Sequence, residues 1–233
     1  MSEYKIRKKD SIAIIPARKG SKRIPGKNIK LFYGKPIIYY AIKKAEESGL
    51  FSKILVTTDS IKIANISKKF GASVEFIRPK YLSNDKVGTI EVISHAVNYL
   101  KKKNSFYNYV CCIYPATPLI NLKKFKICYK ILSSKKFNYV FPVSKHHKTN
   151  NTYLLLNKNR TVKAKIESEK KNFSSLLYND TGQYYWGKFN SWLNKKKLFT
   201  SKSRVIFLKK KDFVDVNTAK DWLDLKNLYK KYL

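Results

Sequence analysis

Residues 12–28 read Ile12-Ala13-Ile14-Ile15-Pro16-Ala17-Arg18-Lys19-Gly20-Ser21-Lys22-Arg23-Ile24-Pro25-Gly26-Lys27-Asn28. Four apolar residues, Ile12 to Ile15, predict a short buried strand. The loop that follows carries five cations: Arg18, Lys19, Lys22, Arg23 and Lys27. Gly20 and Gly26 allow a ligand to approach the backbone closely, while Pro16 and Pro25 restrict how the loop bends. Exposed amides and fixed cations after a first strand predict a polyphosphate cradle at the carboxyl edge of an open α/β sheet. Two other phosphate loops are excluded by spacing. A Walker loop has four residues between its glycines and then Lys-Ser/Thr, whereas here Lys27 precedes Asn28 and five residues separate Gly20 from Gly26. The Gly-x-Gly-x-x-Gly dinucleotide fingerprint is absent from this loop.

Working outward, strands and helices alternate up to about residue 143. Strands are predicted at 12–15, 54–57, 74–77, 109–113 and 139–143, with helices at about 37–48, 61–70, 89–102 and 122–133. In the first helix Ile38, Ala41, Ile42 and Ala45 recur at helical spacing and Gly49 closes it. Strands separated by single helices imply a parallel sheet with right-handed crossovers. The rhythm breaks after Lys145. Segments 153–156 and 162–166 suggest an antiparallel excursion, 183–187 another strand, and 205–208 with a helix from Thr218 a return to the main body. The excursion, about 144–181, is expected to be an insertion that packs against another subunit, within one domain of residues 10–233. Residues 1–9 are expected to be a flexible basic tail.

The 233 residues carry 50 Lys and Arg against 15 Asp and Glu, a formal charge of +35. Such a charge raises the question of nucleic-acid binding. The lysines fall in short runs along the whole chain instead of one stripe, so most of the charge is assigned to solvated surface and no specific nucleic-acid partner is expected. Arginines number only six, and Arg18, Arg23 and Arg78 all fall in site segments. The guanidinium fork grips phosphate with two parallel bonds, which lysine cannot do. Three cysteines without a Cys-x-x-Cys pair fit a reducing compartment. No stretch is long enough to span a bilayer. A cytoplasmic enzyme is expected, with no membrane partner.

Other segments gather at the same sheet edge. Asp59, in Thr57-Thr58-Asp59-Ser60, follows the second strand and suits ribose, base or metal contact, or the capping of the next helix. Arg78 to Asp85 leads through Gly88-Thr89 into a helix, so Arg78, Gly88 and Thr89 suit a nucleobase and its phosphates. Tyr114-Pro115-Ala116-Thr117-Pro118 is a rigid turn fit to hold a second substrate through Tyr114 and Thr117. Asn179 to Gly187 mixes amides, Asp180 and aromatics, a composition suited to sugar, with Gln183 and Tyr184 as contacts. Asp215-Val216-Asn217 puts two oxygen donors on one face, able to hold Mg²⁺ through water.

These motifs together resemble those of the acylneuraminate cytidylyltransferases. Ile-Pro-Ala-Arg-x-Gly-Ser-Lys-Arg-Ile-Pro-x-Lys-Asn is similar to the family's opening motif, and the resemblance spans nearly the whole chain. Tyr-Pro-x-x-Pro at 114–118, Arg-Pro-x-x-Leu at 78–82, Gly-Thr at 88–89 and Asp-x-Gly-Gln-x-Tyr-Trp-Gly at 180–187 resemble the branch that activates pseudaminic acid. The resemblance implies an α/β, Rossmann-like nucleotidyltransferase fold, mainly parallel, with helices on both faces and a small inserted dimerisation subdomain. It implies a Mg²⁺-dependent homodimer that joins CTP to a nonulosonic acid with loss of pyrophosphate. By the same resemblance Arg18, Ser21 and Lys27 hold the triphosphate, Asn28 contacts the nucleotide, and Arg18, Lys27 and Asp215 are catalytic, with Gly20 and Arg23 in the same loop. The family's metal segment usually reads Asp-x-Asp. Here Asn217 takes the second place, so Asp215 and Asn217 together offer one charge fewer.

Overall fold

The structure, a computed structural model, describes residues 10–145, 152–167 and 177–233. The basic tail expected at 1–9 and two stretches of the excursion, 146–151 and 168–176, lie outside the described residues. β1 (Ser11–Pro16) sits between β4 (Lys53–Thr57) and β5 (Tyr109–Ile113), parallel to both. The small pair β2 (Leu31–Phe32) and β3 (Lys35–Pro36) leads from the basic loop into α1 (Ile37–Ser48). Then follow α2 (Ile61–Lys69), α3 (Thr89–Lys102), α4 (Leu122–Ser133) and β6 (Tyr139–Lys145). β7 (Thr152–Leu156), β8 (Val162–Glu167) and β9 (Tyr178–Asp180) are antiparallel. The chain returns through β10 (Tyr184–Lys188), α5 (Phe189–Leu193), β11 (Ser203–Phe207) and α6 (Ala219–Tyr229).

The sheet order is β4-β1-β5-β10-β6-β9-β7-β8, with β11 against β6. β4, β1, β5, β6 and β11 run one way, and β10 alone is inserted against them, antiparallel to both β5 and β6. The parallel body predicted from the strand–helix rhythm is therefore present, with one reversed strand in its middle. Strand alternation divides the core. Ala13, Ile15, Cys111, Ile113, Tyr184 and Trp186 pack on one face, and Ile12, Ile14, Val110, Cys112 and Tyr185 on the other. Each buried Ile or Val among them contributes about 1.5–3 kcal/mol. Trp186 is wedged among Phe51, Phe125 and Tyr129, with ring centroids 5.0–5.2 Å away.

One predicted strand differs. Residues 74–77 form no ladder: isolated bridges join Leu55 to Ser73, just before the segment, and Thr58 to Ile77 at its end, on the side of β4 away from β1. Backbone bonds hold the two flanks, Ser73 N to Ile54 O at 2.8 Å and Arg78 N to Thr58 O at 2.7 Å, and between them the chain bends at Phe76, with Ile77 half exposed. α1 closes as predicted, with Gly49 left-handed at φ 69°. The excursion forms an antiparallel extension of the main sheet with β8 at its end.

Candidate active site

A cleft of about 430 Å³ opens at the carboxyl ends of β1 and β5. One wall is the basic loop. Its backbone is fixed at several points: Ala17 N donates to Thr57 O at 3.0 Å, Lys19 N to Asp59 Oδ1 at 2.7 Å, and Asn28 Nδ2 to Arg18 O at 2.9 Å. Gly26, at φ 62°, supplies the left-handed turn that precedes the 3₁₀ turn Lys27–Ile29. Lys27 Nζ then donates to Val216 O at 2.7 Å, and Arg23 donates to Asn217 Oδ1 at 2.8 Å. Ile24, Phe32 and Ile37 share a small core with Val216, Trp222 and Leu225, so the late segment 214–217 is packed against the loop.

The opposite wall is the loop after Arg78. Arg78 is buried, its N donating to Thr58 O at 2.7 Å and its Nε to Ser83 Oγ at 3.1 Å. Asp85 ion-pairs with Arg18, and with Lys22 at 3.1 Å. The floor comes from an interruption in one strand path. β9 and β10 both pair with β6, and between them the chain swells outward at residues 181–183, with Gly182 left-handed at φ 59°. The swelling turns Asp180 and Gly182 into the cleft, a use of irregular pairing common beside active sites. Asp180 accepts from Tyr185 Oη and, at 3.0 Å, from Gly182 N. Tyr114 Oη bonds Thr89 Oγ1, and Thr117 Oγ1 donates to Tyr114 O at 2.6 Å.

Charge in the cleft is strained in both signs. Burial holds Lys27 below the usual lysine range, helped by Arg23 and Arg18 and opposed by Asp215. Burial likewise lowers Arg78. Burial raises Asp215, against the hydrogen bond from Asn217 and the charge of Lys27, and Asp221 raises it further. Asp180 is pushed up to about 7, chiefly by desolvation and also by the charge of Asp215.

The cleft thus brings together Arg18, Ser21, Arg23, Lys27, Asn28, Arg78, Gly88, Thr89, Tyr114, Thr117, Asp215 and Asn217. Four other expected residues do not border it. Gly20 lies on the exposed outer turn, and Asp59 is a brace for Lys19 N while Ser60 caps α2. Gln183 is buried and donates to Asp212 O at 3.2 Å, steering the segment that leads to Asp215. Tyr184 points to the opposite face of the sheet, 4.7 Å from Phe125 and beside Cys128. Strand alternation is the reason: its neighbour Tyr185 takes the cleft side. Sequence reasoning also missed Asp85, whose signal was the scarcity of carboxylates, and the main-chain carbonyl of Val216, which has no sequence signal at all.

A cation-lined cleft at the carboxyl edge of a mainly parallel sheet, with half-buried carboxylates in it, is suited to a polyphosphate ligand, and comparison with known proteins makes the class a nucleotidyltransferase. The sequence model described as Cytidylyltransferase matches residues 12–185. The chain belongs to the cytidylyltransferase family. It is similar to the pseudaminic acid cytidylyltransferase of Campylobacter jejuni, 34% identical over 223 residues that cover 94% of this chain and 96% of that one. It is also similar to the CMP-N,N'-diacetyllegionaminic acid synthase of Legionella pneumophila, 26% identical over 91% of this chain and 92% of that one. Among solved structures, CMP:2-keto-3-deoxy-manno-octonic acid synthetase complexed with CTP shares the fold. Its TM-score is 0.77 at 15% identity, over 96% of this chain and 100% of that one. No helix of the described residues is long and apolar enough to cross a membrane.

Proposed function

We propose that the chain transfers CMP from CTP to the anomeric hydroxyl of a nonulosonic acid, with pseudaminic acid as the substrate, and releases pyrophosphate. The observation that carries the reading is the polarity of the cleft. Arg18, Arg23, Lys27 and Arg78 stand on the walls where a triphosphate would lie, and Asp180, Tyr185, Tyr114 and Thr117 stand where a sugar would meet it. The relatives named for pseudaminic and legionaminic acids support the acceptor class, and the 34% identity of the former supports the choice within it.

In the proposed reaction the acceptor's C2 hydroxyl oxygen attacks the α-phosphorus of CTP. A C–O–P bond forms as the bond to the bridging oxygen of the β-phosphate breaks, and the electron pair leaves with pyrophosphate. Lys27 and Arg18 meet the charge that grows on the leaving group, the part of the work that fixed cations in a desolvated cleft do best. Lys27 is held by the Val216 carbonyl, so it needs little reorganisation as that charge develops. Arg78 adds a cation from the wall opposite the basic loop, and Tyr185 with Asp180 would meet the acceptor. Asp180 is a carboxyl whose protonation changes near neutral pH, and it is able to take the hydroxyl proton.

A magnesium ion fits the residues present. Asp215 is a hard oxygen donor held in burial with its charge incompletely compensated, which a divalent cation would relieve. Asp215 would hold the ion, with Asn217 orienting the carboxylate through its hydrogen bond while its own Oδ1 accepts from Arg23. Among the described residues no three His, Cys, Asp or Glu side chains form a metal cluster, and Mg²⁺ is usually held by one or two carboxylates plus substrate phosphates. Bound there, Mg²⁺ would neutralise phosphate charge. The antiparallel extension formed by β7, β8 and β9 is the proposed contact of a homodimer.

The test is pyrophosphate release measured with a panel of nucleoside triphosphates and nonulosonic acids. Release with CTP and pseudaminic acid, with other pairs at least tenfold slower, is the expected result. Equal rates with N-acetylneuraminic or legionaminic acid would overturn the acceptor assignment, and no release with any pair would overturn the activity.

A further inference from the structure

The four cations that the basic loop brings to the cleft are held in two different ways. Lys27 and Arg23 donate to neutral oxygens, the Val216 carbonyl and the Asn217 amide. Arg18 and Lys22 instead converge on one carboxylate, Arg18 on Asp85 Oδ1 and Lys22 on Asp85 Oδ2. One anionic group with its two oxygens divided between two cations is the pattern a phosphate makes. Asp85 comes from the opposite wall, on a loop that carries bonds of its own. The 3₁₀ turn Lys80–Leu82 and the Arg78–Ser83 bond shape its loop, and Asn84 Oδ1 accepts from Lys86 N at 2.9 Å and Val87 N at 3.2 Å. Lys22 and Arg18 together hold the Asp85 carboxyl below the usual carboxylate range.

A carboxylate carries one charge, and a nucleoside triphosphate or pyrophosphate carries several. Both pairs are partly exposed to water, where an ion pair is weak and easily exchanged. A polyphosphate entering between the walls takes Arg18 and Lys22 and is at the same time repelled by Asp85. We propose that Asp85 is the built-in counter-anion of the polyphosphate seat: it keeps Arg18 and Lys22 convergent, yields them to the phosphates of the nucleotide, and reclaims them as pyrophosphate departs. Asp85 is on this account a positioning residue that acts through the two cations and lowers affinity for both the nucleotide and the pyrophosphate. The proposal rests on the reading of the cleft as a CTP site.

The test is equilibrium binding of CTP and of inorganic pyrophosphate to the full chain and to Asp85→Asn. Glu46→Gln is the control: it makes the same change in net charge on α1, where Glu46 pairs with Lys43. Asp85→Asn should bind both ligands more tightly, by roughly threefold to tenfold, as expected when an exposed competing charge is removed. The KM for CTP should fall, and pyrophosphate should inhibit turnover at correspondingly lower concentration, while Glu46→Gln leaves all three unchanged. Unchanged or weaker binding by Asp85→Asn, beside a wild type that binds normally, overturns the proposal and makes Asp85 a brace of the loop. Equal tightening in Glu46→Gln also overturns it. A wild type that binds neither ligand removes the CTP reading itself, and the proposal with it.

Discussion

Replacing Asp180 by Asn should make the protein more stable, by an amount that depends on pH. The Asp180 carboxyl is pushed up to about 7 from an ordinary 3.8, chiefly by desolvation in the floor of the cleft. Below both values the residue is neutral in folded and unfolded chains alike, and wild type and variant should differ little. As pH rises through 3.8 the unfolded chain ionises while the folded one keeps its proton, so folding loses stability until the folded carboxyl ionises near 7. At about 1.4 kcal/mol per pH unit, the loss accumulated by pH 8 has a ceiling of about 4 kcal/mol. An Asn side chain can still accept from Gly182 N and meet Tyr185 Oη, so it preserves the local bonds and avoids the ionisation. Urea denaturation at half-unit intervals from pH 5 to 8.5, without divalent metal, measures the gap. The variant's advantage should widen up to about pH 7 and then level off. A gap that stays constant across that range, or one that narrows with rising pH, would refute the assignment of a desolvated, raised carboxyl at this position.

Lys27→Met should lower kcat/KM by about a hundredfold or more, the usual loss when a fixed charge is taken from a transition state. Its Tm should fall only modestly, because the structural loss is the bond to Val216 O. Parallel kinetics and thermal melts check both. Tyr185→Phe should raise the KM for the sugar acid with little effect on that for CTP, whereas Tyr184→Phe should leave both near wild type, which initial-rate kinetics distinguishes. Gly187→Ala should destabilise by roughly 1–3 kcal/mol or more, since a Cβ there would come within 2.4 Å of Trp192 Nε1 and 2.6 Å of the Tyr139 ring. Denaturant titration of that variant is the check. Asn217→Asp should lower the Mg²⁺ concentration needed for half-maximal turnover, by restoring a second charge beside Asp215, and a metal titration reads it directly.

Much of the sheet was legible because its signals are local. Ile12–Ile15 alternate between two buried faces, α1 shows its apolar stripe and its closing glycine, and the basic loop follows a strand in the order that places ligands at the carboxyl edge. Features that depend on distant partners were not legible. Residues 74–77 have a strand's composition, but they meet the neighbouring backbone only through the bridge of Ile77 to Thr58, which composition does not reveal. Tyr184 and Tyr185 are chemically equivalent in sequence, and only the register of β10 against β5 decides which one enters the cleft. The swelling at Gly182 brings Asp180 into the cleft, and no periodicity announces it. Asp85 was in a recognised segment, yet its role depends on Arg18 and Lys22 facing it from another wall.

The bonds from Lys27 to Val216 and from Arg23 to Asn217 join positions separated by 189 and 194 residues. A nascent chain therefore carries its most cationic turn for nearly the whole of synthesis before the segment that tethers those side chains has been made. Until then the loop is a cluster of like charges without its neutral oxygen partners, open to whatever polyanions are nearby. The lining of the cleft is complete only when the two distant stretches dock. A molecule interrupted shortly before residue 215 would keep most of its sheet and have an unfinished catalytic pocket.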